Sequence, residues 1–207
     1  MLGQFINWLQ ISLNLFNQST PRIVWNLFLA FIPLILSFYL FRIQIRRGFF
    51  WWILLLIFIS FLPNAPYILT DSIHIIELSQ DYPTWAVFLV LIPQYVLFIL
   101  FGFEAYVVSL SRIEKYLGDF LTPSSQLMLN AIAHCLSVVG IYIGRFERFN
   151  SWDFVTRPVT VLLTTIRDLL DAEKLLSMAI AWLIIWLLSE LVKRVNHRFI
   201  QINFSSG

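Results

Sequence analysis

Long apolar stretches are the feature that most constrains this chain, because they recur along its length between short polar connections. A helix needs roughly 20 apolar residues to cross a bilayer. Apolar runs that approach or reach this length predict spans at about 24–41, 49–62, 84–110, 123–144 and 176–192. Only 13% of the residues are charged, against roughly a quarter in ordinary soluble domains. The sequence therefore predicts an all-α, polytopic transmembrane helical bundle with about five spanning helices plus short interfacial helices.

The remaining segments complete one predicted membrane domain, residues 1–207. Residues 1–20 are too short and too polar to span, and predict an N-terminal helix in the membrane interface, with a frayed leader as the alternative. The bundle then occupies 24–192, and 193–207 form a tail. Residues 158–170 predict a half-buried or surface helix. A cleavable signal peptide is not expected, because the first residues lack a basic region and a small-residue cleavage site.

Lysine and arginine are divided unevenly between the two sides of the predicted bundle. Short cytoplasmic loops carry an excess of these residues. Eight lie on the side that includes 42–48 and the C-terminus, six lie on the other side, and the acidic loop 70–83 has none. The bias predicts a multi-pass protein of the cell membrane with its N-terminus outside and its C-terminus in the cytoplasm.

Two prolines end the second apolar stretch and precede a run of polar side chains. Pro63 and Pro66 each remove a backbone donor, and carbonyls freed within lipid need partners from protein or trapped water. If a helix restarts at Pro66, positions 67, 70, 71, 74 and 77 share one polar arc. The candidate ligand-binding residues here are Asn64, Tyr67, Thr70, Asp71 and His74. Asp71 and His74 could share a proton or a metal ion; a solvated helix face is the alternative.

A second polar segment follows the fourth predicted span and should lie on the same side. The planar fork of arginine suits a carboxylate, a phosphate or a lipid headgroup. The candidates in this segment are Arg145, Arg148, Asn150, Trp152 and Asp153. Opposite charges next to low-dielectric lipid attract more strongly than in water, so we expect Asp71 and Arg145 to be in contact. A well-anchored helix exit with no ligand is the alternative.

Two ionisable residues fall inside predicted spans. Glu104 and His134 lie at similar depths, and ionisable side chains in a bilayer face the bundle interior and usually pair. We expect a buried polar pair between them, directly or through one water. The alternative is a separate hydroxyl or backbone partner for each.

The two polar segments also carry a resemblance to a known family. It rests on Pro63-Asn-Ala-Pro-Tyr-Ile-Leu-Thr-Asp71 and on Gly140-Ile-Tyr-Ile-Gly-Arg-Phe-Glu-Arg-Phe-Asn-Ser-Trp-Asp153. These runs resemble the signature segments of an uncharacterised bacterial multi-pass membrane family, catalogued as domain of unknown function 1361, over roughly residues 25–195. The resemblance implies a bacterial membrane protein with no assigned activity and no established catalytic residues.

Three kinds of function fit these observations. The first is binding or transport of a small or lipid-like ligand, possible anions included, through an outward-facing polar pocket. The second is an enzyme acting on a lipid or lipid-linked substrate, with Asp71 or His74 as general base. The third is a structural or partner protein of the bilayer with no ligand. No cofactor and no metal site are expected, since no recognised motif is present, and the net charge of +2 is too small to suggest nucleic acid.

Overall fold

Helices make up almost all of the computed structural model, which describes residues 1–42, 47–118, 120, 122–149 and 153–205. In chain order they are α1 (Leu2–Arg42), α2 (Phe49–Phe61), α3 (Asn64–Tyr67), α4 (Ile73–Ser79), α5 (Thr84–Ala86), α6 (Ile92–Leu117), α7 (Pro123–Arg145), α8 (Asp153–Thr156), α9 (Pro158–Leu170) and α10 (Ala172–Ser205). A 3₁₀ turn, Ile68–Ser72, links α3 to α4, and a π-helical turn, Val87–Leu91, joins α5 to α6.

Five stretches of the described chain are long and apolar enough to cross a membrane. They are Leu2–Phe41, Phe49–Ser79, Thr84–Leu117, Pro123–Arg145 and Ala172–Arg198. The predicted all-α bundle with about five spans is confirmed. The amphipathic helix predicted at 158–170 is also present, as α9, and one of its few buried residues is Asp168.

The core of the bundle is the contact between α1 and α6, which run side by side in the same direction. Ser19 Oγ donates a hydrogen bond to Gln94 Oε1 over 2.6 Å, and Arg112 Nη1 donates to Ser37 Oγ over 3.1 Å. The contacting positions advance together along both helices. The two helices are therefore parallel, as expected for spans separated by one returning span.

The predicted interfacial helix at 1–20 is not a separate element. It continues through Pro21 into the first span, so that α1 is one helix of 41 residues. This segment is held by packing: Trp8 stacks on Trp85 with ring centroids 4.9 Å apart, and Leu15 is fully buried. At 1.5 Å per residue α1 is about 60 Å long, about twice the hydrocarbon thickness of a bilayer. Its N-terminal half thus has length to spare for the interface, where its location stays a prediction.

Two helices continue beyond the predicted spans. α6 continues past 110 to Leu117, and α10 continues as helix through 193–205, where the location of the predicted tail stays a prediction. A pair of polar contacts ties this part of α10 to α6. Lys193 Nζ lies 2.6 Å from Glu114 Oε1, and Asn196 Nδ2 donates to Glu104 Oε1 over 2.7 Å.

The proline break sits between α6 and α7, where two glycines make room for it. A Cβ on Gly102 would overlap the Ile68 side chain, and a Cβ on Gly140 would lie 2.7 Å from Pro63 Cβ. Glycine at 140 therefore permits a close approach that a Cβ would block, whereas at 102 the overlap is with the flexible Ile68 side chain. The structure thus places Gly140 of α7 directly against the proline break.

The bundle has two chemically different ends. At one end, which we call the Arg47 end, Arg47 Nε donates to Tyr116 Oη over 3.2 Å and Lys193 pairs with Glu114. At the other, the Asp71 end, Asp71 meets Arg145. The segment that follows the first span and the end of the last span therefore lie at the same end of the bundle, as the span count predicts.

Candidate functional site

Asp71 is the centre of a polar cluster at the Asp71 end, because three other segments bring side chains to it. Its side chain is only 1% exposed. Asn26 Nδ2, from α1, donates to Asp71 Oδ2 over 2.5 Å, and His74 Nε2 lies 3.8 Å from Asp71 Oδ1. Arg145 approaches from α7. We call these residues, together with Tyr67, the Asp71 cluster.

Arg145 connects the end of α7 to the turn that follows the proline break. Its Nη1 lies 3.5 Å from Asp71 Oδ1 and 3.4 Å from Tyr67 Oη, and its Nη2 donates to the Thr70 carbonyl over 3.1 Å. The expected Asp71–Arg145 contact is present. The Thr70 carbonyl also accepts from the Ile73 N–H, so Arg145 adds a second donor to the backbone as well as pairing with the carboxylate.

The polar arc of this segment is divided between protein and solvent: Asp71 faces protein, and Glu77 is 59% exposed. Asp71 is buried, while Ile73 and Ile76 are 47% and 63% exposed. His74 lies between two carboxylates, with Nδ1 2.5 Å from Glu77 Oε2. The alternative interpretation of this segment as a solvated helix face is therefore wrong for Asp71, because Asn26 and Arg145 cover the Asp71 side chain.

A buried tyrosine hydroxyl adjoins the Asp71 cluster without a hydrogen bond. Tyr95 is fully buried, and its Oη makes no hydrogen bond of ordinary geometry to the described residues. Arg22 is close enough to interact with this oxygen, and the charges of Asp71 and Glu77 also act on it. Buried hydroxyls are nearly always hydrogen-bonded, so this oxygen has unused hydrogen-bonding capacity near the Asp71 cluster.

Two other predicted site residues, Asn64 and Asp153, make contacts outside the Asp71 cluster. Asn64 Nδ2 donates to the Phe61 carbonyl over 3.1 Å and so helps to close the proline break. Asp153, in α8, lies 3.3 Å from Arg157 Nη2. Asn150 and Trp152 lie outside the described residues.

Arg148 follows α7 in a left-handed backbone conformation. Its φ is 56°, the only positive value at a non-glycine residue in the part of the chain that the structure describes. The Phe149 N–H donates to the Ile143 carbonyl over 3.2 Å, so the chain turns back on the end of α7 through this left-handed residue. The conformation is thus explained by the end of α7, and it leaves the Arg148 side chain exposed.

The sequence alone missed Arg22, Asn26 and Tyr95. A signal for Asn26 was available, since an amide inside an apolar run is costly unless it is bonded to protein. Nothing in the spacing of Tyr95 distinguishes it from an interface tyrosine.

Comparison with known proteins identifies the family. A family model described as "Protein of unknown function (DUF1361)" matches residues 25–188. The chain belongs to the DUF1361 family. The matched range contains both polar segments and Asn26. No curated protein and no solved structure gives a significant match.

The predicted Glu104–His134 pair does not form directly in this DUF1361 protein. His134 is fully buried, with Nδ1 2.7 Å from Tyr106 Oη and Nε2 3.2 Å from Ser189 Oγ. Glu104 instead accepts from Asn196 of α10. Each group finds its own partner because α10 comes within reach of both α6 and α7. The alternative of a hydroxyl partner holds for His134, whereas Glu104 bonds a side-chain amide.

The His134 contacts form a continuous chain of hydrogen bonds across three helices. Ser137 Oγ donates to Tyr106 Oη over 3.2 Å, and the remaining contacts are satisfied if Tyr106 donates to Nδ1 and Nε2–H donates to Ser189. A neutral imidazole with its proton on Nε2 meets both conditions. The network therefore ties α6, α7 and α10 together inside the bundle.

A second ionic cluster in the DUF1361 chain joins α9 to α10 and was not predicted. Lys174 Nζ lies 2.6 Å from Asp168 Oδ1 and 3.6 Å from Glu147 Oε1. Arg167 Nε lies 3.7 Å from the same Asp168 oxygen. Burial by itself raises the pKa of Asp168, but the hydrogen bond and charge of Lys174, with the charge of Arg167, outweigh it and lower that pKa.

This lowered pKa predicts a specific loss of stability in acid. A carboxyl with a depressed folded-state pKa contributes stability above its ordinary value of 3.8 and loses it as the pH falls through the folded-state pKa. We expect the unchanged protein to be more stable than Asp168→Asn near pH 7, and the difference to vanish as the pH falls well below about 4. Thermal unfolding in lipid nanodiscs across pH checks this. Asp81→Asn, at an exposed acidic residue, is the control and should show no such convergence.

Proposed function

We propose that this DUF1361 protein binds, and in that way serves to sense or transport, a small or lipid-like anionic ligand at an outward-facing site built on the Asp71 cluster. The site consists of the buried Asp71–Arg145 pair, the Tyr95 hydroxyl, and two exposed arginines, Arg22 and Arg148. The carboxylates of Asp71 and Glu77 are engaged by Asn26, His74 and Arg145, so positive charge remains for a ligand.

The observation that carries the proposal is the unpartnered Tyr95 hydroxyl. A buried hydroxyl without a hydrogen bond lowers stability by about 1–3 kcal/mol, and a ligand oxygen would remove that cost. Tyr95 lies on α6, the helix that also seats the proline break at Gly102. A rigid helix presenting a polar group next to fixed charges is the arrangement expected of a preorganised site.

The outward orientation of this site rests on the distribution of basic residues. We propose that the Arg47 end faces the cytoplasm, because the short segment around 42–48 is rich in arginine and the loop 70–83 has none. Reporter fusions after Gly48 and at Gly207 should both report the cytoplasm, and a fusion at Asp81 the outside. The opposite pattern would mean that the Arg47 end faces outward and the Asp71 cluster faces the cytoplasm. Different sides for Gly48 and Gly207 would contradict the span count.

The binding proposal is tested with Tyr95→Phe, which removes one oxygen and leaves the ring. Inorganic phosphate and acetate serve as probes, titrated onto protein in phosphatidylcholine nanodiscs while unfolding temperature is recorded. We expect a saturable stabilisation by at least one anion. Tyr95→Phe should weaken its apparent affinity about three- to tenfold, the range of one hydrogen bond, and leave stability without anion unchanged or slightly raised.

The matched control is Tyr106→Phe, on the same helix and equally buried. Its hydroxyl makes two hydrogen bonds, so this variant should lose about 1–3 kcal/mol of stability and keep its anion affinity. If neither anion gives a saturable shift, or if Tyr95→Phe binds as tightly as the unchanged protein, the proposed function is wrong.

A further inference from the structure

We infer that the Arg47 end carries a separate binding site for the phosphate of an anionic membrane lipid. The site is a cleft of about 530 Å³ lined by Phe41, Arg112, Lys115 and Tyr116, with Arg47 at its edge. We call it the Arg112 cleft. It lies at the opposite end of the bundle from the Asp71 cluster and does not depend on the function proposed there.

Three cationic side chains converge on this cleft, and none of the described residues that line it is acidic. Arg47 is fixed by its hydrogen bond to Tyr116, and its Cζ lies 5.8 Å from the Trp51 ring centroid. Arg112 donates to Ser37. The nearby Glu114 is engaged by Lys193 at 2.6 Å, so it does not neutralise the cleft. Basic clefts between membrane helices are the form in which anionic headgroups are bound.

The depth of the cleft matches the headgroup layer. Exposed aromatic residues begin α2 beside it: Phe49, Phe50 and Trp52 are 75%, 79% and 55% exposed. Aromatic rings of this kind mark the boundary between lipid and water. A site for a soluble anion would need only positive charges. The exposed aromatic residues at the start of α2 place these charges at the level where lipid phosphates lie.

The apolar surface next to the cleft offers a place for the acyl chain. The Arg112 guanidinium lies over the Phe38 ring, 3.0 Å from its centroid, and one turn further from the Arg47 end Ile35 is 65% exposed. A phosphodiester held by Arg112 and Lys115 would therefore leave its lipid tail running along α1. This continuity of charge and apolar surface favours a lipid over a free phosphate.

The test compares phosphatidylglycerol with phosphatidylcholine of the same acyl chains, titrated onto detergent-solubilised protein and followed by native mass spectrometry. Phosphatidylglycerol should bind more tightly. Arg47→Gln and Lys115→Gln should each weaken it about fivefold, the effect of one basic residue at a membrane surface. Arg194→Gln is the matched control, since Arg194 is exposed on α10 and does not line the cleft.

Three outcomes would overturn the inference. Equal affinity for the two lipids would remove the role of charge, and an equal loss in Arg194→Gln would show a diffuse effect of net charge. Inorganic phosphate provides the last arm: if it displaces phosphatidylglycerol at micromolar concentration, the cleft is a site for a soluble anion. Unfolding temperatures of all variants are measured alongside, so that a variant that fails to fold is replaced by Arg47→Lys or Lys115→Arg, which should retain binding.

Discussion

Arg145→Ala is expected to lower the free energy of unfolding by about 2–4 kcal/mol, because it leaves a buried carboxylate without its cation. Asp71 is 1% exposed and Arg145 21% exposed, with Nη1 3.5 Å from Oδ1. The same change also removes the Arg145 hydrogen bond to the Thr70 carbonyl, which then keeps only the Ile73 N–H. Unfolding by denaturing detergent in mixed micelles measures the loss.

The pairing itself is tested by a double-mutant cycle. Arg145→Gln leaves a charged Asp71, Asp71→Asn leaves a charged Arg145, and the double variant leaves neither. We expect the double variant to lose less stability than the sum of the single losses. Additive losses would show that the two charges are not coupled. Arg148→Ala is the control three residues away, and should change stability by less than about 0.5 kcal/mol because its side chain is exposed.

Gly140→Ala is expected to destabilise the protein by about 1–3 kcal/mol through overpacking. The added Cβ would lie 2.7 and 2.8 Å from the Cβ and Cγ of Pro63, and a proline ring cannot rotate away. The proline break would have to move out of its place between α6 and α7. Unfolding of the variant in the same mixed micelles measures the effect.

The control for this change lies one helical turn away in the same helix. A Cβ on Gly144 would find its nearest atom, Tyr67 Cε2, at 3.7 Å, which is ordinary contact. Gly144→Ala should therefore be neutral, or stabilise the helix by up to about 1 kcal/mol. Equal losses at both positions would mean that glycine matters for α7 itself and that the proline break is not seated on it.

Much of the fold could be predicted because membrane-spanning helices are recognisable in a sequence from the length and hydropathy of their apolar runs. The span predicted at 123–144 is α7, whose N-cap Thr122 accepts from the Ser125 N–H over 3.3 Å. The half-buried or surface helix predicted at 158–170 is α9. The contact of Asp71 with Arg145 followed from depth and charge alone. Helix ends that depend on tertiary contacts were missed: α10 continues because Lys193 and Asn196 find acidic partners on α6.

The partners inside the bundle were harder to predict, because depth gives no rotation about the helix axis. Glu104 and His134 lie at similar depths and yet belong to different networks. His134 instead meets Tyr106 and Ser189, hydroxyl groups that the sequence offers at many positions. Tyr95 and Asn26 join the Asp71 cluster for the same reason, since only the packing of α1 on α6 brings them there.

The seating of the proline break also has a consequence for the order in which the molecule can be completed. Pro63 and Ile68 are synthesised before the glycines that accommodate them, and Arg145 follows Gly140 on the same helix. Until the ribosome has passed Arg145, the Thr70 carbonyl has only the Ile73 N–H as a donor, and the Asp71 carboxylate has Asn26 but no guanidinium. The arrival of α7 is therefore the step that supplies the cation and completes the Asp71 cluster.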